Sequence, residues 1–237
     1  MELIFLGTGA GVPSPERNVT GIALSLQEER GGFWLFDCGE GTQHQIMHSP
    51  LKLSRLQLIF ITHLHGDHIY GLPGLLTSRA YQGGTSPLTV YGPPGIQTFI
   101  ETAISISGSR IDYELQIVEF EEGVIYQDNL FTVECGKLEH RIDSYGFRIV
   151  EHDIPGTLLS EKLVAEGIPP GPIYKQIKMS KTPVEYQGKW YDPRDYVGPD
   201  ISGRKLAIMG DSRPTKNAVN LAEGVQVLVH EATFAED

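Results

Sequence analysis

Leu56-Gln57-Leu58-Ile59-Phe60-Ile61 runs directly into Thr62-His63-Leu64-His65-Gly66-Asp67-His68. The first six residues are an apolar run suited to a buried strand. The next seven carry three imidazoles and a carboxylate, with Gly66 giving the backbone room to bend. A core strand therefore ends in a loop of donor side chains, and a rigid strand is what holds such a loop in place. Neutral imidazole nitrogen and carboxylate oxygen are good ligands for zinc and its first-row neighbours. The spacing H-x-H-x-D-H is too dense for a helical HExxH pair. His63 and His65, two apart, point the same way if the strand runs on. Asp67 and His68 are adjacent, so their side chains are expected to diverge and to suit a second ion beside the first. The alternative is a polar loop with scattered histidines. With eight histidines in 237 residues, three within six positions beside an aspartate favour a metal.

Upstream, Leu3-Ile4-Phe5-Leu6 reads as a first strand leading into Gly7-Thr8-Gly9-Ala10-Gly11-Val12-Pro13. This loop lacks the GK[ST] and G-x-G-x-x-G spacings of a phosphate cradle, so a tight turn over the site is expected. Arg17-Asn18 either reach a substrate or cap a turn. Ile22–Leu26 and Phe33–Phe36 are strands joined by a hairpin turn at Gly31-Gly32. Asp37 ends the second of them. Its carboxylate is placed to orient a metal-binding histidine from behind, or to cap the helix expected over 42–48, or both. Cys38 reads as core packing.

Downstream, a helix opens at Gly71, a strand covers Leu88–Pro93, and residues 95–106 carry a helical apolar stripe (Ile96, Phe99, Ile100, Ala103, Ile104). Strand segments follow from Ile111 to Glu134. His140 stands alone between strands. By itself it reads as structural, but beside a metal cluster it becomes a further candidate ligand. Leu206–Met209 and Val225–Val229 are buried strands ending in Asp211 and His230. Metal-capable residues at several strand ends would meet at one edge of a sheet. The alternation fits two sheets packed face to face with outer helices, an α/β layered fold.

Residues 154–204 interrupt this pattern with seven prolines and with Lys162, Lys175, Lys178, Lys181, Lys189 and Arg194. So long a stretch without core periodicity suggests a projecting arm or lid, the alternative being a flexible insertion with no role. Ile168-Pro169-Pro170-Gly171-Pro172-Ile173-Tyr174 is stiff, as a defined tip would be.

The net charge of −11 argues against a general nucleic-acid binder. It does not exclude a nuclease, because carboxylates near metal ions count in the sum while the ions cancel their local field. Two cysteines, Cys38 and Cys135, do not suggest a disulfide framework, which points to a reduced, cytoplasmic setting. No apolar run approaches the ~20 residues of a membrane span, and the N-terminus lacks the features of a signal peptide.

Taken together, Asp37, the His63-x-His65-x-Asp67-His68 cluster, His140, Asp211 and His230 resemble the landmarks of the metallo-β-lactamase superfamily, in its order. Phe5-Leu6-Gly7-Thr8-Gly9, Asp37-Cys38-Gly39-Glu40-Gly41-Thr42-Gln43, Gly210-Asp211-Ser212-Arg213-Pro214 and His230-Glu231-Ala232-Thr233-Phe234 narrow the resemblance to the ribonuclease Z family of tRNA 3′-processing endonucleases. The resemblance implies an αββα sandwich of two mixed sheets, with 154–204 as an inserted tRNA-binding arm. It implies two zinc ions. His63, His65 and His140 would hold one, Asp67 and His68 the other, and Asp211 would bridge them. Asp67 would also be the catalytic carboxylate, accepting a proton from the attacking water, while His230 would lie beside the site without being a ligand. The implied activity is removal of the 3′ trailer of precursor tRNA, leaving a 3′-hydroxyl on the tRNA and a 5′-phosphate on the trailer. Lys175, Lys178 and Lys181 would contact the tRNA, and the chain would work as a homodimer. Family members are implied to run on past this chain's last residue, through a His-Ser-Thr segment to a final metal histidine. The sequence is therefore read as C-terminally truncated, with its second metal site incomplete. Two other readings stand beside this one. One is a hydrolase of the same fold acting on small phosphodiesters or sulfate esters. The other is a non-catalytic chain that binds tRNA or a partner.

Overall fold

The computed structural model of the chain describes residues 1–233. In chain order the first half contains β1 (Glu2–Gly7), β2 (Gly21–Leu26), the single turn α1 (Gln27–Arg30), β3 (Gly32–Phe36), α2 (Thr42–Met47), β4 (Leu56–Phe60), the short α3 (Gly66–Ile69), α4 (Leu72–Tyr81), β5 (Leu88–Gly92), α5 (Ile96–Ser107) and β6 (Leu115–Glu119). These strands make one sheet in the order β1-β2-β3-β4-β5-β6. The first three are antiparallel, and β3 to β6 run parallel.

The chain then forms β7 (Gly123–Gln127), β8 (Phe131–Leu138) and β9 (Ser144–Glu151) before entering the 154–204 segment. That segment holds α6 (Ser160–Ala165), α7 (Pro172–Met179), the small hairpin β10 (Val184–Tyr186) and β11 (Lys189–Tyr191), and α8 (Pro193–Tyr196). The chain returns as β12 (Lys205–Met209), α9 (Lys216–Ala222) and β13 (Val227–Val229). The second sheet has the order β13-β12-β9-β8-β7, antiparallel except for the β12/β13 pair.

Side-chain alternation explains the layers. On β3, Phe33 and Leu35 face α4 and α5 with Leu72, Leu75, Leu76, Ile96 and Ile100. Trp34 and Phe36, on the other face, pack with Phe60 of β4 against Phe131, Phe147 and Ile149 of the second sheet. The parallel strands are thus buried on both faces, which is why β4 reads as a continuous apolar run. Between the sheets the aromatics interlock. Phe36 and Phe60 stack at 5.1 Å between ring centroids, and both lie within 6 Å of the Phe147 ring. On the far side α9 covers the second sheet through Leu221 and Ala218 against Leu138, Ala207 and Met209. Outer helix, sheet, sheet and outer helix give the expected αββα order.

The 154–204 segment is better organised than its composition suggests. Leu163, Ile168, Ile173, Ile177, Tyr191 and Tyr196 form a small core of their own. Ile173 and Ile177 lie one turn apart on α7 and supply its buried stripe. Two antiparallel bridges, Ile154 to Ile201 and Leu158 to Val197, tie the two ends of the segment together. Among the described residues no helix is long and apolar enough to cross a membrane.

Phe60 fills the junction of both sheets directly before the metal-type loop. Phe60→Ala is expected to destabilise the fold by about 3–5 kcal/mol, read as a lowered urea midpoint with an unchanged m-value.

Candidate metal centre

Parallel pairing of β3 with β4 sets Phe36 beside Phe60, so the two strands end level. Asp37, one step past β3, then faces Thr62, two steps past β4. The Asp37 backbone sits at φ 57°, a left-handed conformation that aspartate tolerates better than most residues. Its carboxylate accepts the Thr62 backbone N–H at 2.7 Å, the Thr62 hydroxyl at 2.8 Å and His68 Nδ1 at 2.7 Å. Of the two roles expected for Asp37, orienting a histidine is the one its contacts match. It does not cap α2, whose N-cap is Gly41 with no side-chain cap, because its oxygens are engaged elsewhere.

This geometry assigns the ring tautomers. A carboxylate only accepts, so the Thr62 hydroxyl donates to Asp37. The same hydroxyl oxygen then accepts from His63 Nδ1, 3.0 Å away. His68 likewise donates from Nδ1. In its neutral form each ring then presents a bare Nε2, and both Nε2 atoms face Asp211, at 3.9 Å from His63 and 3.5 Å from His68. His65 Nδ1 lies 3.0 Å from His63 Nε2 and 3.1 Å from His140 Nε2. Two groups of donor atoms result, each within 4.8 Å of one another: His63, His65 and His140, and His63, His68 and Asp211. Asp67 lies outside both groups but close by, its Oδ2 3.6 Å from His68 Nε2. Asp67 and His68 were expected to diverge. They instead converge, because α3 begins at Gly66 and its turn carries His68 inward. Gly66 serves space rather than bending: it has ordinary helical placement, and a Cβ there would strike the Tyr70 ring.

Several observations fit a bound cation. His68 Nε2 is buried and has no hydrogen-bond partner, an expensive state for a polar atom unless something pairs with it. Bare imidazole nitrogens converge on one another, which suits an ion between them. Burial opposes charge on His68, yet Asp37 and Asp211 beside it more than offset that and raise the imidazole to about 10. The pocket therefore demands positive charge at this point. Burial, reinforced by neighbouring His68, pushes His63 down to about 4, leaving it a neutral ligand-type ring. Burial and then His140 lower His65. Burial alone would raise Asp211, but the neighbouring imidazoles of His68, His63 and His140 bring it below the usual carboxylate range.

Comparison with known proteins gives one match to the first part of the chain and others to nearly all of it. Residues 1–153 match the family model described as anti-Pycsar protein Apyc1, a match that ends before the arm segment. Similarity to ribonuclease Z extends across the whole chain. The ribonuclease Z of Anoxybacillus flavithermus is 60% identical over 235 residues, covering 99% of this chain and 75% of that protein. The ribonuclease Z of Geobacillus kaustophilus is 57% identical, with 99% and 76% covered. The chain belongs to the ribonuclease Z family. The crystal structure of human tRNase Z, short form, superposes with a TM-score of 0.71 at 31% identity, covering all of this chain and 79% of that one.

Around the donors of this ribonuclease Z family member, the N-terminal glycine loop lies over the site as expected. Gly11 N–H donates to Asp67 Oδ2 at 2.7 Å, fixing the carboxylate from the solvent side. Asn18 donates to the Glu40 carbonyl and so ties two loops together. His230 lines the same cleft as His68 and Asp211, with its Nδ1 2.9 Å from the Glu231 carbonyl oxygen. Phe234 of the closing motif lies outside the described residues. Cys38 is buried with its thiol pushed up by burial, consistent with packing. Lys175 and Lys181 are exposed and Lys178 is half-buried, all in or beside α7 and far along the chain from the donor set. Sequence reasoning missed the Thr62 hydroxyl and the Gly11 amide. Thr62 adjoins His63, but only folding shows that its oxygen stands between that ring and Asp37.

Thr62→Val keeps the shape and removes the hydroxyl that sets the His63 tautomer. It is expected to weaken metal binding about 10–100-fold, with Thr62→Ser close to the parent. Calorimetric titration of zinc into the metal-free variants checks this.

Proposed function

We propose that the chain is a zinc-dependent endoribonuclease that removes the 3′ trailer from precursor tRNA, leaving a 3′-hydroxyl on the tRNA and a 5′-phosphate on the trailer. The observation that carries it is the convergence of His63, His65, His140, His68 and Asp211 around a buried, unpartnered His68 Nε2, within a ribonuclease Z family sequence. His63, His65 and His140 would hold one ion, and Asp67 and His68 a second, with Asp211 between them. Bound there, such ions would supply Lewis-acid neutralisation of phosphate charge and a lowered water pKa.

The chain's own residues do the rest. Asp67, outside the tight donor groups and pinned by the Gly11 amide, is the carboxylate that accepts the proton of the attacking water. Asp37 and Thr62 hold His68 and His63 in the tautomers that present Nε2. Burial of His63 and His68 at the floor limits water to the open side of the cleft. Lys175, Lys178 and Lys181 on the arm contact backbone phosphates of the tRNA body. Such contacts position a substrate without reading its sequence, and A-form RNA is recognised largely by shape. A second copy of the chain would complete a homodimer in which one arm serves the other subunit's site.

The chain loaded with zinc is expected to hold two ions per protein by mass spectrometry and to cut a precursor tRNA once, after the discriminator nucleotide. One ion or none, with no cut, would overturn the reading. Removing residues 157–198, which leaves the Ile154–Ile201 bridge at the base of the arm, should reduce tRNA cleavage far more than hydrolysis of bis(p-nitrophenyl) phosphate. Equal losses would count against the arm assignment.

A further inference from the structure

Beside the donor set lies a cleft of about 820 Å³ whose wall includes His140, Arg141, Asp211, Ser212 and Arg213. Arg141 follows His140 in the loop between β8 and β9, and Arg213 follows Asp211 by two residues after β12. The two loops are joined: Arg213 N–H donates to the Glu139 carbonyl at 2.8 Å. Both arginines are solvent-exposed. Among the described residues neither guanidinium has a hydrogen-bond or ion-pair partner. Their neighbours are engaged. Lys137 pairs with Asp143 at 2.7 Å, and Glu231 accepts the Ser212 N–H at 2.8 Å. Glu139, Asp211 and Glu231 are the acidic side chains of this wall without a lysine or arginine partner among the described residues. Ser212 Oγ, also on the wall, is buried without a partner.

The charge of the whole molecule makes this arrangement informative. A chain of net charge −11 repels a polyanion at long range, and screening confines that repulsion to about 8–10 Å at physiological salt. An RNA strand that comes within that distance of the donors needs local cations. Two free guanidiniums flanking His140 and Asp211 supply them. The planar fork of arginine matches phosphate in a two-point contact that lysine cannot reproduce.

We propose that Arg141 and Arg213 form a phosphate clamp, which holds the RNA backbone phosphates next to the scissile one and so sets the strand against the metal donors. The proposal rests on the nuclease reading and names the groups of its substrate that are gripped at the site itself. Holding the flanking phosphates fixes the reacting one in place, where small misplacements are costly.

The test measures binding of fluorescently labelled precursor tRNA by anisotropy in EDTA across a potassium chloride series, for the parent chain, Arg141→Ala, Arg213→Ala, the double variant and the two Arg→Lys variants. Each alanine variant is expected to weaken binding about tenfold and to reduce the slope of log affinity against log salt by about 1. Each lysine variant should recover the slope but only part of the affinity. Cleavage of the same RNA with zinc should show a raised KM in the alanine variants, with kcat changed less. Affinity and salt slope equal to the parent in the double variant overturn the clamp while leaving the nuclease reading in place. A parent chain that binds and cleaves no precursor tRNA overturns both. Thermal unfolding of every variant at the parent temperature shows that lost binding is not lost folding.

Discussion

The Asp37 carboxylate is the contact on which the site depends. It accepts three hydrogen bonds, two from Thr62 and one from His68, and these cover its buried charge. Its left-handed backbone is stored strain, repaid by those bonds and by the packing around them. Close approach is part of the same device. A Cβ on Gly39 would collide with the Asp67 carbonyl, and one on Gly71 with the Gly39 carbonyl. The loop after β3 can therefore lie flat against α3, with Cys38 N–H donating to the His68 carbonyl at 2.8 Å. Backbone and side chain of this loop both aim at one histidine.

That loop is only as rigid as the strands behind it. Phe36 and Phe60 each stand at a strand end, stacked on one another, and both press on Phe147 of the opposite sheet. The same aromatic contact that joins the sheets thus sets the distance between Asp37 and Thr62. It also fixes where the second sheet delivers His140 and Asp211, which arrive from β8 and β12. The donors are held by core packing, as a site requiring sub-ångström placement demands.

Charge is distributed in the opposite sense to the ligand it is read to bind. The protein is acidic overall, and cations unpaired among the described residues include lysines along α7 and arginines on the wall of the cleft. The 154–204 segment can carry a different composition because it has a separate core, Ile173 and Ile177 packing on Tyr191 and Tyr196 without drawing on the sandwich. Proline at the first turn of α7 and of α8 starts those helices where its missing N–H costs nothing.

Local pattern was enough to make the strand Leu56–Ile61, the donor loop behind it, the hairpin of β2 and β3, and the layered α/β class legible in the residues alone. These rest on period and on neighbours along the chain, and the amphipathic spacing of α5 is of the same kind. The arm's own core was not legible, since four apolar residues and two tyrosines scattered over 163–196 show no period across a proline-rich stretch. Asp37 was open between two roles until the parallel register set it against Thr62. His140 was ambiguous because its partner His65 lies 75 residues away. The guanidiniums of Arg141 and Arg213, unpaired among the described residues, had no signal at all. The sequence by itself determined which chemical groups are present and which strands carry them. Tertiary structure decided which of them meet, which nitrogen each ring presents and which cations stay unpaired, because those depend on distances between residues that the chain's order does not contain.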